Sequence, residues 1–512
     1  MEEFKVLITT SGLGSRLGEL TDYTNKSLVR INDKPSLSHI IESYDKKIEF
    51  VITLGHFGSH VRQFLNLAYP EHKFTFVEID NYQGAGSSLG YSILKCRDVL
   101  NCPFIFHASD TIVTNYEYIK PDYNYIIGSN KEDSSQFRTI RQKNGKLIRV
   151  NEKGEMNQTL SYIGVSGIRD HQLFFDVLEN LVKIKIVDLS DVHCINEMVT
   201  TTNFRIYQVT EENWFDVGNV TELNRTKKKL PKTIDVLDKK EESIFMFNDF
   251  VIKFFSDINM VKSRVDRAKD LEGIIPEIEG HTENFYKYKK VKGLLFSNSV
   301  KPNTFRNLLQ WSKKNLWEKR NDNKIKDKCQ NFYLSKTKKR ISEYLQNNSD
   351  SNFINNEFLP DIYDLIEEIN FRWLCDGIPS RFHGDFILDN IIETNDGFSL
   401  IDWRQDFDGD LYIGDLYYDI AKLNHNLTVN HSVLNRELFS WGADNCQIYT
   451  SSILNECKEI LEEFIINEGL DLKKVNVLTS LIWINMSPLH EYPLNNFLYN
   501  FGKYNLFKNI KK

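Results

Sequence analysis

Short apolar runs set in mixed polar sequence mark the first 230 residues. Residues 4–9 (FKVLIT) and 103–108 (PFIFHA) are almost continuously apolar, as expected of strands buried in a parallel sheet. Residues 49–55 (EFVITLG) and 73–80 (KFTFVEID) read as further strands, and residues 81–93 open a helix. Such alternation predicts an α/β domain. The pattern changes across a charge-dense stretch, residues 225–243, which contains Pro231. Beyond it, residues 243–255 (SIFMFNDFVIKFF) predict a hairpin turning at Asn248-Asp249, and residues 285–295 another strand. Most of the remainder reads as helix, with Leu308, Trp311, Leu316 and Trp317 as core anchors. One stretch interrupts it: residues 380–403 (SRFHGDFILDNIIETNDGFSLIDW) hold two apolar runs around an Asn-Asp-Gly turn signal, the mark of a second hairpin. Two domains are therefore expected, residues 1–232 and 233–512, the second divided into lobes at about 240–300 and 301–512.

Composition narrows the function classes. A chain of 512 residues is too long for one ordinary core. Its net charge of −7 gives no pull toward nucleic acid or an anionic membrane. Seven scattered cysteines without a Cys-x-x-Cys pair predict free thiols in a reducing compartment. With no signal-peptide pattern and no 18-residue apolar run, a cytoplasmic location is expected.

Chemistry-bearing residues cluster at the ends of the predicted strands. After the first strand, Ser11, Gly12 and Gly14 form a turn whose backbone can approach an anion. Arg16, Leu20-Thr21, Lys26 and Lys34-Pro35 follow. A dinucleotide-binding reading fails, because Gly12, Gly14 and Gly18 do not make Gly-x-Gly-x-x-Gly. Asp110 ends the strand at 103–108, where open α/β sheets bind ligands. The ordered series resembles the sugar-phosphate nucleotidylyltransferases, with Asn25 standing where that family usually has Pro. The resemblance implies a Rossmann-like domain with a mixed, mostly parallel sheet. It also implies that Ser11, Gly12, Gly14 and Arg16 cradle an NTP triphosphate (CTP or UTP favoured), with Lys26 along the reacting phosphates. Gln83, Gly86 and Ser88 would face the nucleobase, and Asp110 with Asp216 of Trp214-Phe215-Asp216-Val217-Gly218 would hold Mg2+. Lys153 would contact the acceptor phosphate and Glu152 the acceptor hydroxyls.

In the second half, Lys253 sits between Ile252 and Phe254, a costly position unless an anion pairs with it. Asp266, Asp270 and Glu272 are open as its acidic partner. His383-Gly384-Asp385, Asn390 five residues on, and Asp402 after the second strand resemble the aminoglycoside phosphotransferase and choline kinase branch of the protein-kinase-like enzymes. That resemblance implies a bilobal α+β kinase domain in which Lys253 binds ATP. Asp385 would take the acceptor proton, Asn390 and Asp402 would hold Mg2+, and Asp415 or Asp419 would brace the loop. Taken together, the two resemblances imply a bifunctional enzyme that makes a phosphate monoester, such as a sugar phosphate, and activates it as an NDP derivative for capsule or lipopolysaccharide synthesis. The alternatives are a choline or polyol substrate with a CDP-linked product, or one domain acting as a non-catalytic ligand sensor.

Overall fold

A computed structural model describes residues 3–130, 136–154, 160–232, 240–442 and 445–511. The chain divides into two compact units, Met1–Ile258 with Glu279–Tyr288, and Asn259–Ile278 with Lys289–Lys512. The units are drawn differently from the expected boundary at 232/233: the stretch expected to form one small lobe is shared between them.

Unit 1 is built on a nine-stranded mixed sheet among the described residues. Its centre is parallel: β1 (Lys5–Thr9) lies between β2 (Glu49–Leu54) and β3 (Phe104–Ala108). The long strand β4 (Ser161–Ile168) then runs antiparallel to β3. β1 to β3 are buried along nearly their whole length, which explains their near-continuous apolar sequence. All three end at the same edge; Ser11 to Lys26 follow β1 and Asp110 follows β3. A two-stranded ladder sits beyond β3, where Asp216 of Trp214–Asp216 pairs with Thr111 of Thr111–Val113.

The hairpin expected at 243–255 forms from β5 (Glu242–Met246) and β6 (Phe250–Phe255), in a sheet with β7 (Phe285–Lys289). Instead of standing apart from the α/β domain, these strands cover helix α1 (Gly58–Ala68). Phe64 meets Phe245 and Phe285 with ring centroids 5.3 and 5.9 Å apart, and His60 meets Phe254 at 5.1 Å. Gln63 accepts from the Asn284 amide at 2.9 Å. Each fully buried phenylalanine stabilises by roughly 1.5–3 kcal/mol, enough to make the strands part of this core.

Unit 2 is mainly helical. Its hairpin joins β8 (Ile391–Thr394) to β9 (Gly397–Leu400), with Thr394 opposite Gly397, so the Asn-Asp-Gly signal does make the turn. Helix α2 (Leu416–Thr428) packs against helix α3 (Leu472–Met486). A π-helical turn, Asn331–Ser335, runs directly into helix Lys336–Leu345. Among the described residues, no helix is long and apolar enough to cross a membrane.

Candidate functional site

In unit 1 the glycine loop leaves β1 and enters a short helix, Ser15–Thr21, through Gly14 at φ +71°. Only a glycine fits there, because a Cβ would lie 2.7 Å from the Cβ of Lys26. Lys26 Nζ reaches Asp110 Oδ2 at 3.4 Å. Gly218 marks where the charges meet. A Cβ at Gly218 would lie 3.0 Å from Asp216 Oδ1, 3.2 Å from Asp110 Oδ2 and 3.4 Å from Arg16 Nη2. The backbone fixes this arrangement, for the Val217 amide donates to the Asp110 carbonyl and the Gly218 amide to Asp216 Oδ1, at 2.9 and 2.7 Å. Lys26 holds the Asp110 carboxyl below its usual range, helped by Arg16 and opposed by burial. Lys153 feels the same cluster: burial and Arg16 lower its pKa, while Asp216 and Asp110 oppose them.

The remaining unit 1 candidates divide. Gln83 is exposed, Gly86 takes φ +83°, and Ser88 caps helix Leu89–Leu94 by accepting from the Tyr91 amide. Ser11 is turned inward: its hydroxyl is 3.1 Å from that of Ser92, and its carbonyl accepts from the His56 amide. Glu152 pairs with Arg138 at 3.0 Å, and Arg138 also donates to Ser190.

The departure at Asn25 proves structural. Fully buried, it donates to the carbonyls of Thr10 and His56 and accepts from the Ser27 amide and hydroxyl, all within 2.9 Å. One side chain thus ties the end of β1, the turn after β2 and the start of the Lys26 segment. Proline could make none of these bonds. An Asn followed two residues later by Ser is a legible turn signal; its tertiary partners are not.

In unit 2, His383 is fully buried and sits 3.0 Å from the Ile401 carbonyl through Nε2. Asp419 braces the loop by accepting from the His383 and Gly384 amides, both at 2.7 Å. Asp415 caps α2 instead, and accepts from Tyr333 at 2.7 Å. Burial raises the Asp419 carboxyl to about 6. Asn390 donates to both the carbonyl and Oδ2 of Asp385, at 3.0 and 3.1 Å. Asp402 adopts φ +58°, which aspartate tolerates better than most residues, and pairs with Arg264. Lys253 is buried in unit 1. Of the acids left open for it, Asp266 pairs with Lys269 and Asp270 with Arg320.

Several basic residues beside these motifs carry no motif of their own. Lys422 Nζ lies 2.7 Å from Asp385 Oδ1. Burial pushes the Asp385 carboxyl up, but Lys422 outweighs it and leaves the group below its usual range. Arg267 is almost completely buried and donates to the carbonyls of Phe382, His383 and Arg404. Burial brings its pKa down to about 9. A pairing across elements leaves no mark in sequence spacing, so these residues were not legible.

No protein-family model matches the chain. Its N-terminal region is similar in sequence to nucleotidyltransferases. The bifunctional protein GlmU of Methanococcus aeolicus is 24% identical over 223 residues, 42% of this chain and 52% of that protein. The choline-phosphate cytidylyltransferase of Haemophilus influenzae is 22% identical over 230 residues, 44% of this chain and 96% of that protein. The chain spans about half the length of the GlmU proteins it matches. Among solved structures, the CTP:phosphocholine cytidylyltransferase of Streptococcus pneumoniae aligns with TM-score 0.38 and 17% identity, over 44% of this chain and 98% of that one. A UDP-glucose pyrophosphorylase bound to UDP-glucose aligns with the same score, identity and coverage.

Proposed function

We propose that unit 1 transfers a nucleotidyl group from an NTP to a small phosphate monoester, releasing pyrophosphate. The observation that carries this is the meeting of Arg16, Asp110 and Asp216 about Gly218, with Lys26 3.4 Å from Asp110. An acceptor phosphate oxygen bonds to the α-phosphorus while the bond to pyrophosphate breaks. A phosphate dianion has no proton to lose, so positioning and charge neutralisation by Arg16, Lys26 and Lys153 carry the step. Mg2+ binds through one or two carboxylates plus substrate phosphates and water. Asp110 and Asp216 fit that need, because Asp110 Oδ2 and Asp216 Oδ1 both lie against Gly218. When bound, Mg2+ would neutralise charge on the transferring phosphates.

Unit 2 is read as an ATP-dependent kinase for a small hydroxyl compound. Asp385 would take the hydroxyl proton, and Asp402 and Asn390 would hold Mg2+. The tight bracing of the His383–Asp385 turn by Asp419 supports this reading. The kinase product then serves as acceptor in unit 1, giving an activated precursor for surface polysaccharide. Similarity to the Haemophilus influenzae protein favours a second form of the reading, with phosphocholine as acceptor and CTP as donor.

The test is pyrophosphate release with Mg2+ from CTP, UTP, GTP, dTTP or ATP against sugar 1-phosphates, polyol phosphates and phosphocholine. Turnover with a sugar 1-phosphate supports the first form, and turnover with CTP and phosphocholine alone supports the second. No pyrophosphate from any pair rejects the unit 1 assignment.

A further inference from the structure

Beside Asp385, unit 2 encloses a cavity of about 220 Å³. Four basic residues line it, Lys336, Arg340, Arg404 and Lys422, and among the described residues no carboxylate does. Burial, with Arg404, Lys422 and Arg340 nearby, brings the Lys336 pKa down to about 7. Two of the four are neutralised from behind, Lys422 by Asp385 at 2.7 Å and Arg340 by Glu343 at 2.8 Å. Lys336 and Arg404 make no ion pair among the described residues; they lie over the ring of Phe332 at 4.4 and 4.9 Å. The wall opposite is apolar, from Leu478, Leu481 and Ile482 of α3. Phe332 belongs to the π-helical turn Asn331–Ser335, a distortion often found at functional sites.

We infer that this cavity holds the acceptor of the kinase reaction, and that the acceptor is an anion, a small hydroxy compound bearing a carboxylate or phosphate. The inference rests on the kinase reading of unit 2. Arg404 Nε donates to the Asp406 carbonyl at 3.1 Å. An anionic ligand would supply the charged partner that Lys336 and Arg404 lack among the described residues, and charge-assisted bonds to such a group are strong. A quaternary ammonium meets the opposite conditions. It would lie against two cations, and the Phe332 ring that could cradle it is already covered by them. In the reaction, the acceptor oxygen bonds to the γ-phosphorus, the bond to the ADP oxygen breaks, and the hydroxyl proton passes to Asp385. Lys422 bridges cavity and base, so the acceptor's anion competes with Asp385 for it.

The experiment measures ADP formation by the full chain with ATP and Mg2+, using matched acceptors. Glycerate, glycerol phosphate and a hexuronate form the anionic arm; glycerol and a hexose form the neutral arm, and choline the cationic one. We expect kcat/KM for an anionic acceptor to exceed that of its neutral counterpart roughly 10- to 100-fold, as loss of a charged hydrogen bond would predict. Carboxylate and phosphate members compared with each other identify the group recognised. Lys336→Met should raise the acceptor KM roughly tenfold or more and change kcat less, and Lys336→Arg should restore most of the loss. Equal or better use of glycerol, hexose or choline would overturn the inference. If no acceptor yields ADP, the kinase reading fails, and calorimetric titration with glycerate and glycerol phosphate still decides the ligand class. Binding that weakens in Lys336→Met upholds it, whereas no binding, or equal binding of choline, rejects it.

Discussion

The two candidate sites handle charge in opposite ways. In unit 1, Asp110 and Asp216 share a few ångströms with Arg16 and Lys26, and the site is an open mixture of both signs. In unit 2, each key carboxylate is already satisfied, Asp385 by Lys422 and Asn390, and Asp402 by Arg264. The surplus positive charge lies to one side, in the cavity. On the proposed reading, a triphosphate in unit 1 would gain from cations standing next to acids that could hold a metal. An aspartate proposed to accept a proton in unit 2 would gain from being held ionised and fixed until substrate arrives. Both follow from one rule, that an ionised group away from water needs a partner, and they differ in whether protein or substrate supplies it.

The contrast breaks most sharply if one substitution disables both activities. Asp110→Ala should cut pyrophosphate release on the order of a thousandfold and spare ATP-dependent phosphorylation, and Asp385→Asn should do the reverse. Paired initial-rate assays on folded protein decide it. Next in size, Lys422→Met should slow phosphorylation roughly 10- to 100-fold. It should also move the acid limb of the pH–rate profile upward, because the cation that lowers the Asp385 pKa is gone. An unmoved limb would show that Lys422 does not govern the base.

Stability measurements sharpen the comparison further. Asn25→Ala strands four buried hydrogen-bonding groups and should cost about 2–4 kcal/mol in urea unfolding, with the larger loss expected for Asn25→Pro. Asp419 gives the smallest effect and a signed pH dependence. Its folded pKa of about 6 lies above the ordinary 3.8. Its contribution to stability is therefore fully present below pH 3.8 and is lost as pH rises through 6. Asp419→Asn, which leaves one loop amide without an acceptor, should look worst near pH 4 and regain up to about 3 kcal/mol on wild type by pH 7. Chemical unfolding at several pH values reads this directly.

Much of the fold was legible, for a clear reason. Strands buried on both faces announce themselves as apolar runs, and the Asn-Asp-Gly turn fixes its own hairpin. Asp110 stands out in the sequence because it directly follows one of those strands. What stayed hidden was everything set by contact across the chain. Arg264, Arg267, Lys336 and Lys422 read as ordinary helix residues until their partners are known. Ser11 looked like a ligand contact, yet its hydroxyl serves the interior. The compact units divide elsewhere than at the charged stretch, since charge density marks where a chain is solvated and says nothing of where its aromatic strands settle.

That settlement has a consequence for how such a chain can be inherited. A recombination event that cut at the charged stretch and exchanged everything after it would carry away β5, β6 and β7. Helix α1 would then show Phe64 and its neighbours to water, in a recipient that never evolved to cover them. The segment that travels as one piece of gene is not the one that folds as one piece of protein. A lineage that changed the partner of this α/β domain would have to keep the strands that cover α1.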